Sequence, residues 1–504
     1  MRRAAGTATF RAVAPHQSTP QPRIGVISLG CDKNTVDTER YLAELAAHGA
    51  HPTADLADAD VILVNTCGFI DAAKRESIDA LIAAARLKID GRCQAVVAVG
   101  CMVERHRAEL EAAIPEVDAF VGTSDTDRLV STLMARGLLA PAPALVHPGV
   151  RIFAGDRPHV RYLKVSEGCD HGCAFCAIPL MRGRHRSFGV AELIREAQLL
   201  ELQGARELNL VAQDLAHYGR DRRDGAGLAE LLDALVAETS VPWIRLLYLY
   251  SAGLTDGVLD RLAREPRLLH YLDIPIQHGS DAVLRRMRRP ERAAGIRSTV
   301  ARVRDAIPDV AIRTTCIVGF PGETEADVER LLELLEEVQF ERVGVFAYSA
   351  QEGTHAWALG DDVPEEVKAE RLERATERVR LITAERYEQR LGRPSHALVD
   401  RAPGLAGEQA SPADPVGCAR LTWQADDIDG LTHLDRSDLA PGTIVEVDVD
   451  DVVDDYDFRA RVRRVVDVPS AAAGTRAGRA LPVAAGPGGF APTRWAERAG
   501  SYGR

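Results

Sequence analysis

The sequence predicts an α/β protein of three domains: a doubly wound parallel sheet, a six-unit partial (βα) barrel and a small antiparallel five-stranded β-barrel. At 504 residues the chain is too long for one ordinary domain. Apolar runs of strand length alternate with helical patterns as far as residue 385, which is typical of parallel sheets with crossover helices. After residue 390 only strand-like pieces follow, which favours a separate β domain.

The N-terminal domain is predicted at residues 21–145, where three short apolar runs are each followed by a helical pattern. The runs lie at 24–29, 61–64 and 95–99, and the helical patterns at 38–48, 74–87 and 105–113. This alternation predicts a doubly wound parallel sheet of modest size, and prolines near its end indicate a linker. Residues 1–20 lack the apolar segment of a secretory signal, so we expect a disordered extension.

The central domain is predicted at residues 155–385 from six strand–helix repeats. The strands are predicted at 160–165, 207–211, 243–249, 271–274, 311–318 and 342–348, with helices such as 191–203 and 325–337 between them. Six units predict a partial barrel, because the closed form of this architecture has eight. The charged run at 363–390 predicts a long helix that packs outside the barrel with a solvated face.

The C-terminal domain is predicted at residues 391–468 as a small OB-like barrel of five strands. Four of its strand segments are visible in the sequence, at 396–399, 419–423, 444–449 and 458–466. Residues 469–504 are rich in Ala, Gly and Pro, which predicts a disordered tail.

The strongest chemical signal is one loop with three cysteines at CxxxCxxC spacing: Cys169, Cys173 and Cys176. Three thiols at this spacing can hold three irons of a cubane iron–sulfur cluster, and one iron is then left open to a ligand. The preceding strand places the loop at a C-terminal strand end, where parallel α/β folds carry their sites. The alternative is a zinc site or a packed cysteine cluster, although zinc sites usually pair CxxC with a second pair.

A second group of three cysteines follows closely on the three N-terminal strands: Cys31, Cys67 and Cys101. Because the C-terminal ends of parallel strands share one edge of the sheet, we expect these residues to meet in space. Each could instead be an ordinary core residue, but their equivalent positions favour a second metal site with an open iron. No such pattern is seen for the other three cysteines, which are predicted to be structural: Cys93, Cys316 and Cys418.

Charge and composition narrow the classes of partner. The formal net charge is −12, which disfavours a nucleic-acid substrate, because phosphate binding needs clustered Lys and Arg. An acidic chain suits a basic partner instead. No apolar run approaches the length that crosses a bilayer, so we expect no membrane partner. Nine cysteines, several clustered as for metal, fit a reducing cytoplasm rather than a disulfide scaffold.

The CxxxCxxC loop, with Phe175 before its last cysteine, resembles the signature of the radical S-adenosylmethionine (SAM) enzymes. The resemblance implies that the open iron binds the amino and carboxylate groups of SAM, and that the reduced cluster cleaves SAM to a radical. It implies an electron donor such as flavodoxin or ferredoxin. Phe175 is a candidate cofactor contact. Gln213, Ser251 and Gln277 follow successive barrel strands and could contact SAM or substrate, although each could equally be a loop or capping residue. Arg182, Arg184 and Arg186 follow the cysteine loop and are candidate partners of the SAM carboxylate or of an acidic target, although surface arginines are common.

The two cysteine groups, the barrel and the C-terminal β domain together resemble the methylthiotransferases over about residues 22–466. That family joins a three-cysteine domain, a radical SAM barrel and a TRAM β-barrel. The resemblance implies two 4Fe-4S clusters and no catalytic side chain beyond their ligands. The SAM-cleaving cluster would be held by Cys169, Cys173 and Cys176, and the auxiliary cluster, which carries the sulfur, by Cys31, Cys67 and Cys101.

Local spellings within the family resemble the RimO group, which modifies the β-carbon of an aspartate in the small-subunit ribosomal protein S-twelve. They are GCDKNTVD at 30–37, NTCGFIDAA at 65–73 and YLDIPIQH at 271–278. The alternative is a tRNA adenosine methylthiotransferase, and those enzymes usually read GCxMN and PxQSG at the first and third of these places. Asp32 and Cys316 depart from the group, which commonly has Pro and an apolar residue there.

The charge of the C-terminal domain separates these two substrates. Residues 391–468 contain sixteen Asp and Glu against eight Lys and Arg, with a dense acidic stretch at 448–457. A barrel that grips tRNA should be basic, so the sign favours a basic ribosomal protein and makes tRNA an unlikely partner. The acids could instead form a solvated loop. A non-catalytic zinc or iron–sulfur scaffold is the alternative from another class, and metal analysis would distinguish it.

Overall fold

The computed structural model describes residues 21–123, 125–141, 149–401 and 417–469. The two segments predicted to be disordered, 1–20 and 469–504, fall outside the described residues apart from residue 469. None of the described helices has the combination of length and apolar character that a membrane span requires. The predicted fold class is confirmed, with two parallel sheets followed by a closed five-stranded barrel, while the domain limits given above stay predictions.

The N-terminal domain alternates strands and helices. Its elements are β1 (Arg23–Ser28), α1 (Asp32–Ala47), β2 (His51–Pro52), β3 (Val61–Thr66), α2 (Asp71–Asp90), β4 (Ala95–Gly100), α3 (Cys101–Ala113), β5 (Ala119–Val121) and α4 (Thr126–Ala135). The five parallel strands run in the order β2-β1-β3-β4-β5. The sequence pattern misses the two edge strands, because two or three residues carry no periodicity. Helices α1 and α4 pack on one face and α2 and α3 on the other, as a doubly wound sheet requires.

The central domain contains all six predicted strands. Its elements are β6 (Val160–Lys164), β7 (Ser166–Glu167), α5 (Ile178–Arg182), β8 (Arg186–Ser187), α6 (Val190–Leu202), β9 (Glu207–Val211), α7 (Leu228–Glu238), β10 (Trp243–Leu246), α8 (Asp256–Arg264), β11 (Leu268–Asp273), α9 (Asp281–Arg286), α10 (Ala293–Ala306), β12 (Ala311–Val318), α11 (Glu325–Val338), β13 (Arg342–Ala347) and α12 (Glu365–Glu388). The sheet order is β6-β9-β10-β11-β12-β13, and its two end strands are not paired, so among the described strands the barrel stays open.

The two faces of the central sheet differ in chemistry. Outward residues such as Leu208 and Leu272 are buried in an apolar core beneath the helices. Because successive strand residues point to opposite faces, their neighbours Asn209 and Asp273 face the concave side, where both are fully buried. The concave side therefore contains buried polar groups, beside an apolar cluster that packs against the C-terminal barrel. Helix α12 packs on β13 and α11, outside the barrel, as the sequence predicts.

The C-terminal strands close into a barrel that covers the N-terminal end of the central sheet. They are β14 (Pro394–Arg401), β15 (Gly417–Leu421), β16 (Thr432–Leu434), β17 (Ile444–Val453) and β18 (Asp457–Asp467). The pairings are antiparallel except β16 with β18, which is parallel. Arg420 reaches Glu207, the first residue of β9, at 2.7 Å, and Arg245 donates to the carbonyl of Thr422 at 2.9 Å. The C-terminal barrel thus lies at the end of the central sheet that is remote from the Cys169 loop.

The acidic stretch at 448–457 lies on the β17–β18 hairpin, where arginines of β18 face its carboxylates. The ion pairs are Asp448–Arg463 at 2.6 Å, Asp450–Arg461 at 2.8 Å and Asp451–Arg459 at 3.7 Å. Opposite charges directly across two strands compensate each other locally. These three aspartates are therefore paired within the domain, so its net charge by itself does not measure the field that a partner meets.

Candidate active site

The three N-terminal cysteines lie just beyond the C-terminal ends of their strands, at one edge of the sheet. Cys31 immediately precedes α1, Cys67 immediately follows β3, and Cys101 is the first residue of α3, directly after β4. A Cβ atom added at Gly30, whose φ is +91°, would lie 3.2 Å from Cys67 Sγ. Only glycine adopts that backbone without strain at so close an approach. The first two cysteine loops are therefore in direct contact.

Asn34 connects all three cysteine loops. Its side-chain amide donates to the carbonyl of Leu29 at 2.9 Å and to that of Thr66 at 3.2 Å. Its side-chain oxygen lies 3.7 Å from Cys101 Sγ and accepts from that thiol. Asn34 is 1% exposed, so these bonds form in a low-dielectric interior where they hold geometry firmly. The sequence marks it only as part of the GCDKN segment.

The pKa values of the N-terminal thiols reflect their confinement. Burial, together with the charges of Cys31 and Cys101, raises the pKa of Cys67 to about 12. Burial likewise raises the pKa of Cys101 to about 11, with a further contribution from Cys31. The three thiols therefore lie within electrostatic range of one another. As thiolates they would repel, and a bound cation or cluster is what makes three thiolates stable in such a place.

The second cysteine group lies between β7 and α5 in a loop held by its own backbone. The amide of Cys169 donates to the carbonyl of Gly183 at 3.1 Å, and that of Cys176 to the carbonyl of Cys173 at 3.2 Å. Burial, together with the neighbouring thiols of the loop, raises the pKa of Cys169 to about 11 and that of Cys176 to about 12. The same physical signature therefore marks both cysteine groups.

Helix α5 joins the two cysteine groups. It begins two residues after Cys176, and its residues Ile178 and Met181 pack with Cys101 in a small apolar cluster. At its end Arg182 donates from Nε to Cys101 Sγ at 3.3 Å. A five-residue helix is thus attached covalently to one group and contacts the other, which fixes the spacing between them.

Arg182 is buried in an ion-pair network between the first two domains, with its side chain 1% exposed. It binds Asp37 at 2.7 Å and Glu167 at 3.1 Å, and Lys164 binds Glu167 at 2.6 Å and also pairs with Asp37. Its guanidinium is fully engaged here. The expectation that Arg182 contacts the SAM carboxylate is therefore not supported by its geometry, because it serves the domain contact beside Cys101.

The four candidate SAM contacts all lie at the C-terminal edge of the central sheet, in different settings. Phe175 packs half-buried against an apolar cluster that contains Phe320. Ser251 donates to Glu291 at 2.7 Å. Gln277 has a left-handed φ of 69° and exchanges backbone bonds with β12. Gln213 follows β9 by two residues and is half-buried.

A cluster of histidines beside Cys169 goes unnoticed in the sequence. His171 Nε2 lies 2.7 Å from an Asp214 carboxylate oxygen, and its ring stacks on Tyr250 at 4.2 Å. His217 meets His171 edge-on, and ligand atoms of His171, Asp214 and His217 lie within 4.8 Å of one another. Asp214 in turn accepts from the backbone amide of Tyr250 at 3.1 Å. The cluster thus ties the cysteine loop to the ends of β9 and β10.

Comparison with known proteins gives the same division of the chain. A family model described as uncharacterized protein family UPF0004 matches residues 23–122, and one described as the radical SAM superfamily matches residues 163–335. A protein of Anaeromyxobacter sp. (strain K) is 44% identical over 466 residues, which cover 92% of this chain and 96% of that protein. A protein of Desulforudis audaxviator is 45% identical, with 87% and 97% covered. Both are named ribosomal protein uS12 methylthiotransferase RimO.

The chain belongs to the RimO family. A further member, from Geobacter sulfurreducens, is 40% identical over 88% of this chain and 98% of its own. Among solved structures, the radical SAM methyltransferase TsrM of Kitasatospora setae matches with a TM-score of 0.50 at 13% identity, over 67% of this chain and 74% of that one. That likeness supports the fold alone. As a RimO-family chain, the protein is a radical SAM methylthiotransferase, as the sequence resemblance implies.

Proposed function

We propose that the protein transfers a methylthio group to the β-carbon of an aspartate in ribosomal protein uS12, and that it uses two 4Fe-4S clusters for this. The observation that carries the proposal is the arrangement of two three-cysteine groups on either side of α5. Near full-length relatives named for this activity support the substrate. One cluster would be held by Cys169, Cys173 and Cys176, and the other by Cys31, Cys67 and Cys101.

The donor sets fit such clusters. Each group offers three thiols, and the chain's other cysteines lie elsewhere: Cys93 bonds a carbonyl of β4, Cys316 is buried in β12 and Cys418 lies in β15. A cubane cluster with three protein ligands keeps one iron open. When bound, the two clusters and SAM would supply radical formation and the sulfur to be transferred.

Three polar groups of the chain point at the cysteine sulfurs and support this assignment. Arg182 donates to Cys101, the backbone amide of His171 donates to Cys169 at 3.4 Å, and Arg289 approaches Cys173 at 3.8 Å. Hydrogen bonds to ligand sulfur orient the ligand and set the potential of a cluster. Each group thus has at least one donor that would stabilise a thiolate in a buried place.

The finer contacts follow from this assignment. Phe175, Gln213, Ser251 and Gln277 remain the proposed SAM contacts, because they border the edge at which the Cys169 loop lies. An electron donor such as flavodoxin or ferredoxin would reduce the site. The basic protein uS12 is the proposed partner, free or in the ribosome, and tRNA is the substrate of the competing proposal.

The test is mass spectrometry of uS12 and of tRNA nucleosides from cells that lack the gene. In these cells the proposal expects uS12 to lack the methylthio group that replaces one hydrogen in wild-type cells, while tRNA methylthiolation persists. Wild-type enzyme should restore the group, and Cys173→Ser should not. Loss of the tRNA modification instead would transfer the function to adenosine. In the purified protein, anaerobic reconstitution should give about eight irons per chain, and zinc in their place would contradict the proposal.

A further inference from the structure

Lys33 is a buried ammonium with little to bind. It lies in the first turn of α1, two residues after Cys31, and is 5% exposed. Among the described residues its one ion pair is to Asp32, at 3.4 Å. Its Nζ also lies 3.2 Å from the centre of the Tyr248 ring. A lysine ammonium has three N–H donors. The long ion pair with Asp32 and the face of the Tyr248 ring leave part of this capacity unused, so the ammonium can bind a further acceptor.

Two other cations near the N-terminal cysteines have no such capacity. Arg182 is shared among Asp37, Glu167 and Cys101, and Lys164 is held by the same two carboxylates at short range. Both are fully engaged in the contact between the domains. Lys33, two residues after Cys31, therefore has more capacity for a new anionic partner than either of these two cations.

The surroundings of Lys33 also lack partners. Buried atoms without a hydrogen bond include Asp32 Oδ2, both polar side-chain atoms of Asn209 and both carboxylate oxygens of Asp273. Asp273 has Arg313 at 3.0 Å and lies within electrostatic range of Lys33, but burial outweighs both positive charges and raises the pKa of Asp273. Buried polar groups in folded proteins are normally paired. A set of unpaired ones on one concave face indicates a chamber that takes a polar ligand.

Tyr248 forms the floor of this chamber at a cost in backbone strain. Its φ is 61°, a left-handed conformation that is unfavourable for a bulky residue and that clusters at functional sites. The conformation places the ring under Lys33, and the hydroxyl donates toward Asp32 at 3.4 Å. The ring thereby holds the ammonium through its electron-rich face without neutralising its charge.

The chemistry of the reaction supplies an anion for this place. The methylthio group becomes bonded to the β-carbon of the substrate aspartate, and the carboxylate carbon is bonded to that same carbon. The carboxylate must therefore lie within a few bond lengths of the transferred sulfur, and so close to Cys31 and its neighbours. We propose that Lys33, held over Tyr248, binds the side-chain carboxylate of the target aspartate and makes the site selective for an acid over an amide. This inference rests on the proposed function.

The test compares binding of two ligands to reconstituted full-length enzyme: unmodified uS12 and uS12 with its target aspartate changed to asparagine. Wild-type enzyme should bind the aspartate form about ten- to a hundredfold more tightly, because a hydrogen bond to a charged group has that worth. Lys33→Met should bring the ratio near one, and Lys33→Arg should retain part of it. Lys88→Met, a charge removal at the far end of α2, is the matched control and should keep the wild-type ratio.

Methylthiolation of uS12 by the wild type, measured in the same preparations, tests the proposed function separately from the role of Lys33. If the wild type does not modify uS12, the proposed function fails. If it does, but Lys33→Met still prefers aspartate, or mainly raises the KM for SAM, the role of Lys33 is overturned. Iron content and melting temperature show whether Lys33→Met is intact. If it is not, Lys33→Gln takes its place, and loss of iron in every uncharged variant would count against a substrate role.

Discussion

The two ends of the central sheet are both covered by another domain through a buried arginine, yet only one end carries the thiols. At the C-terminal end Arg182 joins the carboxylates of Asp37 and Glu167 and donates to Cys101. At the N-terminal end Arg420 joins Glu207 and Asp400, both at 2.7 Å, and its described contacts include no sulfur. The same electrostatic device fixes a domain at both ends. Function is added where strand C-terminal ends and their loops converge.

The largest effects, on bound iron and on activity, should come from the cysteines at the C-terminal ends of the sheet strands. Cys173→Ser and Cys101→Ser are each expected to lose about half of the reconstituted iron, because each removes one ligand of one four-iron cluster. Neither should yield methylthiolated uS12. Iron and sulfide analysis measures the loss, and Cys418→Ser in β15 is the control that should retain wild-type iron. Full iron in Cys101→Ser would show that the N-terminal group is not a cluster site.

Arg182 should be the next most sensitive position. Arg182→Met leaves Asp37 and Glu167 as buried charges without their arginine, which is expected to lower the free energy of unfolding by about 3–5 kcal/mol. Denaturant unfolding measures it. Arg184→Met, two residues along, is the matched control, because the Arg184 side chain is 93% exposed and surface changes stay within about 0.5 kcal/mol. Equal changes in the free energy of unfolding for the two variants would show that Arg182 does not stabilise the contact between the domains.

Arg420→Met tests whether the domain contact at the N-terminal end of the central sheet is independent of the cysteine groups at the other end. It should lower the free energy of unfolding by about 3 kcal/mol, since Glu207 and Asp400 lose a buried partner. It should leave the reconstituted iron content at the wild-type level, because the described contacts of Arg420 are carboxylates and not thiols. A fall in iron would show that the C-terminal barrel also positions the cysteine edge.

Acid should destabilise the N-terminal end through Asp400. Burial alone would raise the pKa of Asp400, but Arg420 and His159 outweigh it and hold that pKa well below its usual range. The folded state then binds fewer protons than the unfolded state, so the stabilisation is present above about pH 4 and is lost as the pH falls below it. Unfolding at about pH 5 and pH 3 should show a smaller loss for Asp400→Asn than for the wild type. An equal loss would exclude Asp400 as the acid-sensitive group.

The smallest effect is expected on the β17–β18 hairpin. Asp450→Asn removes one exposed partner of Arg461 and should change the free energy of unfolding by about 0–1 kcal/mol. It should leave uS12 affinity within about twofold, because the acids here are already compensated across the strands. A larger loss of uS12 affinity at low salt would restore an electrostatic role for this face.

The sequence predicts the central strands because their cause is local. Apolar runs of strand length separated by helical patterns are enough to place all six strands of the central sheet and three of the five N-terminal ones. The sequence does not predict β2, β5 and β16, because strands of two or three residues are too short to show an apolar periodicity and form only by pairing with a neighbouring strand. The CxxxCxxC loop is equally visible, because its ligands are adjacent in the chain.

Tertiary structure decides what no local pattern contains. Sequence placed Cys31, Cys67 and Cys101 at equivalent strand ends, but only the folded chain shows Asn34 joining their loops and α5 running from one group to the other. It also turned Arg182 from a SAM contact into a domain contact, and paired the acids of the hairpin. Residue types and spacing by themselves identified the two groups of three thiols. Which charges neutralise each other, and which cation is left for a substrate, depends on burial and distance between residues far apart in the chain.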